Sequence, residues 1–512
     1  MREIPVGIDL GTTFSVIAYL DSGGRPQTIR SAEGDLTTPS VVMFEPGSDG
    51  VISADPVVGR AAVSAAAMYP DYVAEMMKRD MGQDSYHRTV AGRTWRPELL
   101  QSFVLAKLKR DAELAEIPFH RAVITVPAYF NNSRRERTIE AATLADIETL
   151  AIINEPTAAA LVYGTQHGFI DDGRISQMER ILVYDLGGGT FDVTLMEIEG
   201  REFRVIGTDG DVELGGRDWD IAVANRIAEE FKERFRGRDP RSDQRGFQKL
   251  MAEAENAKRM LSNLERTVIN LELGGDMLRM PFSRQDFEDL TMDLLERTIF
   301  TSDKVVRDAG LNWSDLSRIL LVGGSTKMPA VARRLEEESG LHPSKALAAD
   351  EAVAHGAAIF AGLQLGAKGI REIIISAPQL KGVTVKDICS HSLGMLIKDR
   401  RTGELRDSVI INKGTPLPAR GERYYETTNE NQQGIKLRLT EARQTIHEDI
   451  IPLPRLSVHL PAGSPLRVAF EFDHNGCLEI LVELLQRTQG VELSACPVLH
   501  QHRLRLNRAD SA

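Results

Sequence analysis

Two stretches of the 512-residue chain decide its fold. Val6–Leu20 reads VGIDLGTTFSVIAYL, and Leu182–Ile198 reads LVYDLGGGTFDVTLMEI. In each stretch an apolar run ends in an aspartate, a turn of glycine and threonine follows, and a second apolar run begins, which is typical of a β-hairpin. The two aspartates, Asp9 and Asp185, lie much further apart than the roughly 20–50 residues of a solenoid repeat. The pattern therefore predicts two related halves that carry the same hairpin, with a cleft between them.

The sequence around the hairpins alternates between strand and helix patterns. Arg121–Pro127 and Ile319–Gly324 are apolar runs of strand length. Ser133 with Glu136 forms a capping box, and apolar residues spaced along Leu250–Leu264 indicate an amphipathic helix. Such alternation predicts an α/β domain.

The pattern changes near residue 375. Segments become short, alternating and separated by turns, and Asn475-Gly476 between two apolar runs is a strong hairpin signal. We therefore predict an α/β domain over residues 1–374, a linker over 375–391, a β-domain over 392–485 and a tail over 486–512 without a helical pattern.

Composition excludes several classes of protein. The 74 acidic residues outnumber the 62 basic ones, and the net charge of −12 argues against nucleic acid or a membrane surface as a partner. Three cysteines without a Cys-x-x-Cys pair favour a reducing compartment. The first residues do not resemble a signal peptide, and no apolar run reaches the ~18 residues that a membrane span needs. We expect a cytoplasmic protein.

The hairpin turns suit phosphate binding. Glycine lets backbone N–H groups approach an oxyanion closely, threonine adds a hydroxyl donor, and an aspartate at the strand end can hold Mg²⁺ through its waters. One such hairpin is usually a plain turn, but two in register favour a phosphate site. The chain has no Gly-Lys dipeptide, which excludes a Walker A loop, and no Rossmann glycine motif in a βαβ unit.

A helical face could contact a nucleotide base. Glu255, Lys258, Arg259 and Ser262 recur at the spacing of one helix face. Taken alone, this face is typical of a solvated surface with an internal ion pair. Alternatively, a planar guanidinium and polar groups would pack against a base, with the turn Gly323–Lys327 as the opposite wall.

Eight motifs together resemble the heat-shock protein 70 (DnaK) chaperone family. In order, they are IDLGTT, VPAYF, NEPTAAA, YDLGGGTFDV, LGGRDWD, AENAKRMLS, VGGSTKMP and DEAVAHGAA, and they cover Val6–Ala358. The resemblance implies an α/β, actin/hexokinase-like bilobal ATPase domain over residues 1–374, followed by a β-sandwich that binds peptide. It also implies ATP/ADP and Mg²⁺ as cofactors.

The resemblance assigns roles to residues that match the family motifs. The implied catalytic group, in which Asp9 and Asp185 also orient the metal, is Lys78, Glu155, Asp9, Asp185, Asp192 and Thr190. The implied phosphate-binding residues are Gly11, Thr12, Thr13, Gly187, Gly188 and Gly189, and Phe14 is implied as a further cofactor-binding residue. The implied adenosine-binding residues are Glu255, Lys258, Arg259, Ser262, Gly323, Gly324, Ser325, Lys327 and Asp350.

The match in the β-domain is shorter. It consists of Ser392–Gly394, Asn412–Pro418 and Phe472–Gly476. The residues that fall where the family lines its peptide cleft are Met395, Ile397, Tyr425, Ile435 and Leu437. The alternative is that these are simply core residues of strands.

The chain also departs from the family pattern. Val383–Asp387 replaces a leucine-rich linker, Ala151 stands where relatives carry a basic residue implicated in J-domain contact, and Arg217 adds a cation to the LGGxD turn. No segment after residue 485 resembles the family's helical lid, so we expect a lidless β-domain.

These observations predict an ATP-hydrolysing chaperone that binds extended apolar segments of unfolded polypeptides. The resemblance further implies a J-domain co-chaperone and a nucleotide exchange factor as partners. The alternatives on the same fold are a nucleotide-gated adaptor, a sugar or carboxylate kinase, and an actin-like filament protein. The latter two lack the combined set of motifs described above.

Overall fold

The computed structural model describes residues 4–47, 52–53, 55–166, 178–345, 348–367, 380–399, 402–430, 432–453, 461–488 and 491–505. Parts of the predicted linker (375–379) and of the predicted tail (489–490 and 506–512) lie outside the described residues. The chain forms two units. Unit 1 comprises Met1–Tyr129 and Thr138–Val385, and unit 2 comprises Phe130–Arg137 and Lys386–Ala512.

The strands of the described residues are given in chain order. They are β1 (Val6–Asp9), β2 (Phe14–Leu20), β3 (Pro26–Thr28), β4 (Thr38–Pro39), β5 (Val42–Met43), β6 (Val57–Val58), β7 (Val73–Ala74), β8 (Arg121–Val126), β9 (Glu148–Asn154), β10 (Glu179–Leu186), β11 (Phe191–Glu199), β12 (Glu202–Asp211), β13 (Arg266–Leu273), β14 (Asp276–Ser283), β15 (Arg318–Val322), β16 (Thr384–Lys386), β17 (Leu393–Lys398), β18 (Leu405–Ile411), β19 (Ala419–Glu426), β20 (Gly434–Glu441), β21 (Gln444–Pro452), β22 (Pro465–Phe472), β23 (Leu478–Leu485) and β24 (Val498–Arg505).

The helices alternate with these strands in the first part of the chain. They are α1 (Arg60–Ala66), α2 (Pro97–Leu114), α3 (Asn132–Leu144), α4 (Glu155–Gln166), α5 (Gly216–Arg234), α6 (Gln244–Leu261), α7 (Arg284–Asp308), α8 (Pro329–Ser339) and α9 (Ala352–Ala367). Short 3-10 helices include Met77–Asp80 and Gly324–Lys327, both of which belong to the site described below. Within the described residues, no helix is both long and apolar enough to span a membrane.

The two largest sheets of unit 1 share a central strand arrangement. In the first sheet the strand order is β3-β2-β1-β8-β9, with β4 paired to β2, and in the second it is β15-β10-β11-β12-β16. β1 pairs antiparallel with β2 and parallel with β8, whereas β10 pairs antiparallel with β11 and parallel with β15. Both predicted hairpins are therefore confirmed, and the two aspartates have equivalent places in the register, Asp9 opposite Val16 and Asp185 opposite Asp192.

Two helices rich in small residues pack between these sheets. α9 contacts β1, β2 and β8 of the first sheet, α4 contacts β10 and β11 of the second, and α4 and α9 contact each other. The contact is close enough that a Cβ atom on Gly356 would lie 1.9 Å from the carbonyl oxygen of Ala158. Alanine and glycine at this contact let the two halves of unit 1 share a tight core.

The second sheet has its own larger core. Helices α5 to α8 and the hairpin β13–β14 supply most of it, with Trp219, Phe231 and Leu250 almost fully buried. Burial of such side chains contributes about 1.5–3 kcal/mol each to stability. This core fixes α5 and α6, which carry several of the predicted site residues.

Unit 2 consists mainly of two four-stranded sheets with orders β18-β17-β20-β21 and β19-β22-β23-β24. Side chains from both sheets, such as Leu437 and Phe470, form one core. The hairpin expected at Asn475-Gly476 is present between β22 and β23, with Gly476 at a φ of 71°. The stretch predicted as a tail carries β24, which pairs with β23, and the stretch predicted as a linker carries β16. We missed β24 because basic, histidine and apolar residues mix along it.

Candidate functional site

The tips of the two hairpins interlock. Gly188 lies so close to Thr13 that a Cβ atom on this glycine would be 1.9 Å from the threonine Oγ1. In the same way, a Cβ atom on Gly189 would be 2.3 Å from Cγ2 of Thr12. The threonines of the first tip thus occupy space that the glycines of the second leave open, which brings the backbone N–H groups of both tips together.

A group of carboxylates lies behind these tips. Asp185, Asp192 and Glu155 are buried, with between 1% and 7% of their surface exposed. Thr125 donates a hydrogen bond to Asp9 (3.1 Å), and the N–H of Tyr129 donates one to Asp192 (2.9 Å). The structure brings the predicted acids Asp9, Asp185, Asp192 and Glu155 into one electrostatic group.

One buried lysine balances this negative charge. Lys78, which is only 3% exposed, donates a hydrogen bond to Oε1 of Glu155 at 2.5 Å. Removal from water, followed by repulsion from Glu155, raises the pKa of Asp9 to about 7, and the lysine opposes this rise. Removal from water also raises the pKa of Asp185 well above its usual value, with Glu155 and Asp192 adding repulsion. The acids therefore form a site that a cation would stabilise.

Arg259 lies on the face of α6 that was predicted to form one wall of an adenosine site. Its guanidinium lies 5.8 Å from the ring centroid of Phe14 and pairs with Glu255 at 2.6 Å. Ser262 donates to the carbonyl of Lys258 (3.1 Å), so its hydroxyl caps the end of α6. The flat, half-exposed pair of Arg259 and Phe14 is the kind of surface on which an aromatic base packs.

The turn Gly323–Lys327, which was predicted as the opposite wall of this site, is hydrogen-bonded to the second hairpin. Ser325 donates to the carbonyl of Gly187 (2.9 Å), and Lys258 donates to the carbonyl of Gly216 (2.8 Å) while pairing with Asp220 (2.7 Å). Lys327 and Asp350 form a separate ion pair at 2.7 Å, beside Gly324. Gly323 begins this turn at a φ of 83°, and a Cβ atom on it would lie 2.4 Å from the carbonyl oxygen of Leu186.

Several residues of the site were not singled out from the sequence. Arg79, next to Lys78, donates to the carbonyl of Gly189 (2.8 Å) and pairs with Asp218 (2.5 Å). Thr125 and Tyr129 contact the carboxylates through bonds described above. The position of Arg79 next to Lys78 could have identified it from the sequence. Thr125 and Tyr129 could not be identified in this way, because β8, which contains Thr125 and precedes Tyr129, comes to the site by pairing with β1.

The predicted peptide-cleft residues have mixed surroundings. Met395, Ile435 and Leu437 are buried in the core of unit 2, with exposures of 5%, 7% and 0%. Ile397 and Tyr425 are only partly buried against that core, and the Tyr425 hydroxyl lies 2.9 Å from the Ser408 hydroxyl. The alternative that some of these residues are core residues therefore describes Met395, Ile435 and Leu437 in this conformation, and a role in peptide binding stays a prediction.

The described residues contain no preformed set of side chains for direct coordination of a metal ion. Within the parts of the chain that the structure describes, no group of three or more His, Cys, Asp or Glu side chains is arranged to hold a metal ion. The buried acids at the hairpins instead suit a cation that keeps part of its water shell, as Mg²⁺ does.

The sequence is similar to those of known proteins. The family model described as Hsp70 protein matches residues 5–495. The chaperone protein DnaK from each of two strains of Halobacterium salinarum is 36% identical over 493 residues, covering 93% of this chain and 72% of the relative. The match spans both units, including the hairpins, the Lys78 turn and most of the β-domain. This chain belongs to the Hsp70 family.

Proposed function

We propose that this protein is an ATP-dependent molecular chaperone that hydrolyses ATP in unit 1 and binds unfolded polypeptides through unit 2. Membership of the family supports the chaperone and ATPase activities. The observation that carries the proposal most directly is the pair of interlocked hairpin tips, with the buried Lys78–Glu155 ion pair beside their aspartates. This is the arrangement expected for a site that holds phosphates between two loops.

The hairpin tips would bind the phosphates. Their backbone N–H groups, together with the hydroxyls of Thr12, Thr13 and Thr190, donate hydrogen bonds to phosphate oxygens, and Gly11, Gly187, Gly188 and Gly189 allow the approach. A hydrated Mg²⁺ held near Asp9 and Asp185 would neutralise charge on the β- and γ-phosphates. The raised pKa values of these acids fit such a cation, because its positive charge would offset the burial and the neighbouring carboxylates that raise them.

Lys78 would act on the developing charge. Phosphoryl transfer depends mainly on positioning and electrostatic stabilisation, and an ammonium in a site shielded from water is effective because no solvent must reorganise. Glu155 holds Lys78 in place through their 2.5 Å contact and adds a carboxylate that can orient the attacking water. Asp192, fixed by the N–H of Tyr129, would contribute to the same group.

The adenosine would bind between α6 and the Gly323–Lys327 turn. Arg259 and Phe14 would pack against the base, while Glu255, Lys258, Ser262, Ser325 and Asp350 offer hydrogen-bonding groups. Specificity for ATP over phosphate alone would come from these contacts, which are separate from the hydrolytic group.

Unit 2 would be the polypeptide-binding β-sandwich of the family. An extended apolar segment gains affinity from strand-like hydrogen bonds and from apolar pockets, and Ile397 and Tyr425 are the predicted lining residues that are not fully buried. Met395, Ile435 and Leu437 would contribute only after the unit rearranges. We also propose a J-domain co-chaperone and a nucleotide exchange factor as partners, and a cytoplasmic location.

The experiment that tests this function is ATP turnover by the purified chain, alone and with a reduced, alkylated polypeptide that cannot fold. We expect measurable hydrolysis that the unfolded polypeptide stimulates and that the same polypeptide in its folded form does not. Hydrolysis stimulated instead by one sugar or carboxylate, with phosphate transferred to it, would show a kinase and contradict the proposal. Binding of ATP without turnover would favour a nucleotide-gated adaptor.

A further inference from the structure

The turn that carries Lys78 is fastened on both sides to the second hairpin and the start of α5. On one side, Arg79 donates to the carbonyl of Gly189 (2.8 Å) and pairs with Asp218 (2.5 Å). On the other side, Oε1 of Glu75 accepts a hydrogen bond from the Arg217 guanidinium at 3.0 Å. Only Met76 and Met77 separate Glu75 from Lys78, and Arg79 follows the lysine directly, so Lys78 lies between two cross-links.

Arg217 links the two elements directly. Its backbone N–H donates to the carbonyl of Gly188 (2.8 Å), and the N–H of Gly216 donates to the carbonyl of Gly187 (2.9 Å). The Arg217 side chain then extends to Glu75, which also accepts a hydrogen bond from Gln248 of α6 (3.3 Å). A single residue thus contacts the glycine tip through its backbone and the Lys78 turn through its side chain.

The backbone of the Lys78 turn needs such support. Met76, between Glu75 and the 3-10 helix of Lys78, has a φ of 60°, a left-handed conformation that is unfavourable for a non-glycine residue. The hydroxyl of the buried Tyr86 accepts from the N–H of Glu75 (3.2 Å) and donates to its carbonyl (2.8 Å). Strained residues of this kind persist only where surrounding contacts hold them, and they cluster at active sites.

The two ion pairs that hold the Lys78 turn are partly exposed to solvent. The side chains of Arg217 and Glu75 are 18% and 24% exposed, and those of Arg79 and Asp218 are 19% and 21% exposed. Salt screens the charges of these two ion pairs less than it screens a fully exposed pair. Each partner is still in contact with water, so the substitution of one partner does not leave the charge of the other buried.

We propose that the Glu75–Arg217 ion pair positions Lys78 for ATP hydrolysis by holding its turn against the glycine tip of the second hairpin. This inference rests on the proposed ATPase function and assigns a role to Arg217, the residue that departs from the family's LGGxD turn. Arg217 and Glu75 are positioning residues, because neither touches the buried acids in the contacts described above. Arg79 and Asp218 hold the opposite side of the same turn.

The test combines two single variants with their charge-swapped double. Glu75→Gln keeps the shape and loses the charge, Arg217→Gln loses the cation, and Glu75→Arg with Arg217→Glu restores an ion pair of reversed direction. The primary readout is the rate of a single turnover of prebound ATP. The second is the release rate of a fluorescent ADP analogue, which does not require hydrolysis. Arg238→Gln is the matched control. Arg238 forms an ion pair with Asp276 (2.5 Å), and neither residue belongs to the hairpin tips or to the Lys78 turn.

We expect each single variant to slow hydrolysis and speed ADP release by about two- to fivefold, and high salt to reduce the difference. The swap should restore both rates to near the parental values, while the control and the free energies of unfolding change little. Parental rates in both single variants, or a swap as impaired as the singles, would overturn the proposal. If the parental chain bound nucleotide but did not hydrolyse it, the proposed ATPase function would fail, and the ADP-release comparison would still decide the role of the ion pair.

Discussion

The two hairpins of unit 1 share a strand arrangement but differ at their tips. The first turn is Gly-Thr-Thr and the second is Gly-Gly-Gly-Thr. Because a Cβ atom on Gly188 would be 1.9 Å from Oγ1 of Thr13, two copies of the threonine tip could not approach as these tips do. The comparison shows that a duplicated element must become asymmetric where its two copies meet.

The phenylalanines that follow the tips differ in the same way. Phe191 has no exposed surface and packs on Tyr184, with ring centroids 4.9 Å apart, whereas Phe14 is 37% exposed and faces Arg259. The two rings do not occupy equivalent positions, because Asp9 pairs with Val16 and Asp185 with Asp192, which makes Ser15 the counterpart of Phe191. The phenylalanine after each tip thus serves the core in one half and the predicted base-binding surface in the other. Substitutions of the two rings can therefore test how far the asymmetry extends.

The largest expected effect is on stability, at Phe191. Phe191→Ala should lower the free energy of unfolding by about 3–5 kcal/mol, because it removes a fully buried ring and leaves a cavity. Phe14→Ala, at the partly exposed phenylalanine of the other hairpin, should cost less than ~1 kcal/mol. Denaturant titration of both variants measures this difference. Equal losses would show that the two phenylalanines have equivalent surroundings in solution.

The second-largest expected effect is on ATP hydrolysis, at Lys78, whose charge acts on the aspartates of both hairpins. Burial raises the pKa of Asp9 and of Asp185, and the charge of Lys78 opposes both rises, so its loss affects both halves of the site. We expect Lys78→Ala to cut the single-turnover rate at least about tenfold while nucleotide binding is largely kept. Lys109→Ala, which breaks an ion pair with the exposed Asp146, is the control. A parental rate for Lys78→Ala would exclude the catalytic assignment.

A methyl group at the second tip should test the interlock. Gly188→Ala should destabilise unit 1 by about 1–3 kcal/mol, because Thr13 must move to make room. Gly187→Ala is the control, since its Cβ would have no neighbour nearer than 3.4 Å. Thr13→Gly combined with Gly188→Ala should be more stable than the sum of the single effects predicts. Strict additivity in this cycle would mean that the two tips do not touch.

The acids of the two hairpins should make stability depend on pH in the nucleotide-free protein. A pKa of about 7 for Asp9 in the folded state lies above its usual 3.8, so the folded state binds more protons than the unfolded state between these values. Stability should therefore fall as pH rises from about 4 to 7. Asp9→Asn should reduce this slope but not abolish it, because the pKa of Asp185 is also raised. Unfolding titrations at several pH values measure the slope, and an unchanged slope in Asp9→Asn would contradict the assigned shift.

The smallest expected effect is at the exposed phenylalanine and its cation. Arg259→Ala or Phe14→Ala should weaken ATP binding by about two- to fivefold, in line with the ~0.5–1 kcal/mol of an exposed cation–π contact. Binding of inorganic phosphate should not change, because neither residue belongs to the hairpin tips. Calorimetric titration with ATP and with phosphate separates the two, and a loss of phosphate binding would place these residues elsewhere in the mechanism.

Much of the site was predictable because it lies in short motifs. The two hairpins, the start of α4 at Glu155 and the residues of α6 follow from local patterns that do not depend on distant parts of the chain. The burial of Leu437 and the pairing of β24 with β23 were not predictable in this way. An alternating strand presents two faces, and only its partners decide which face becomes the core.

The sequence by itself determined the repeat, the α/β character of unit 1, the change to a β-domain and the chemical types gathered at the hairpins, because these depend on periodicity and on turn residues. Only the tertiary structure decided that Thr13 fits against Gly188, that Lys78 pairs with Glu155 and that Arg217 reaches Glu75. Each of these contacts joins residues far apart in the chain, and their distances are set by the packing of two sheets and the helices between them. No local pattern encodes such a distance, since it depends on how all the intervening side chains fill space.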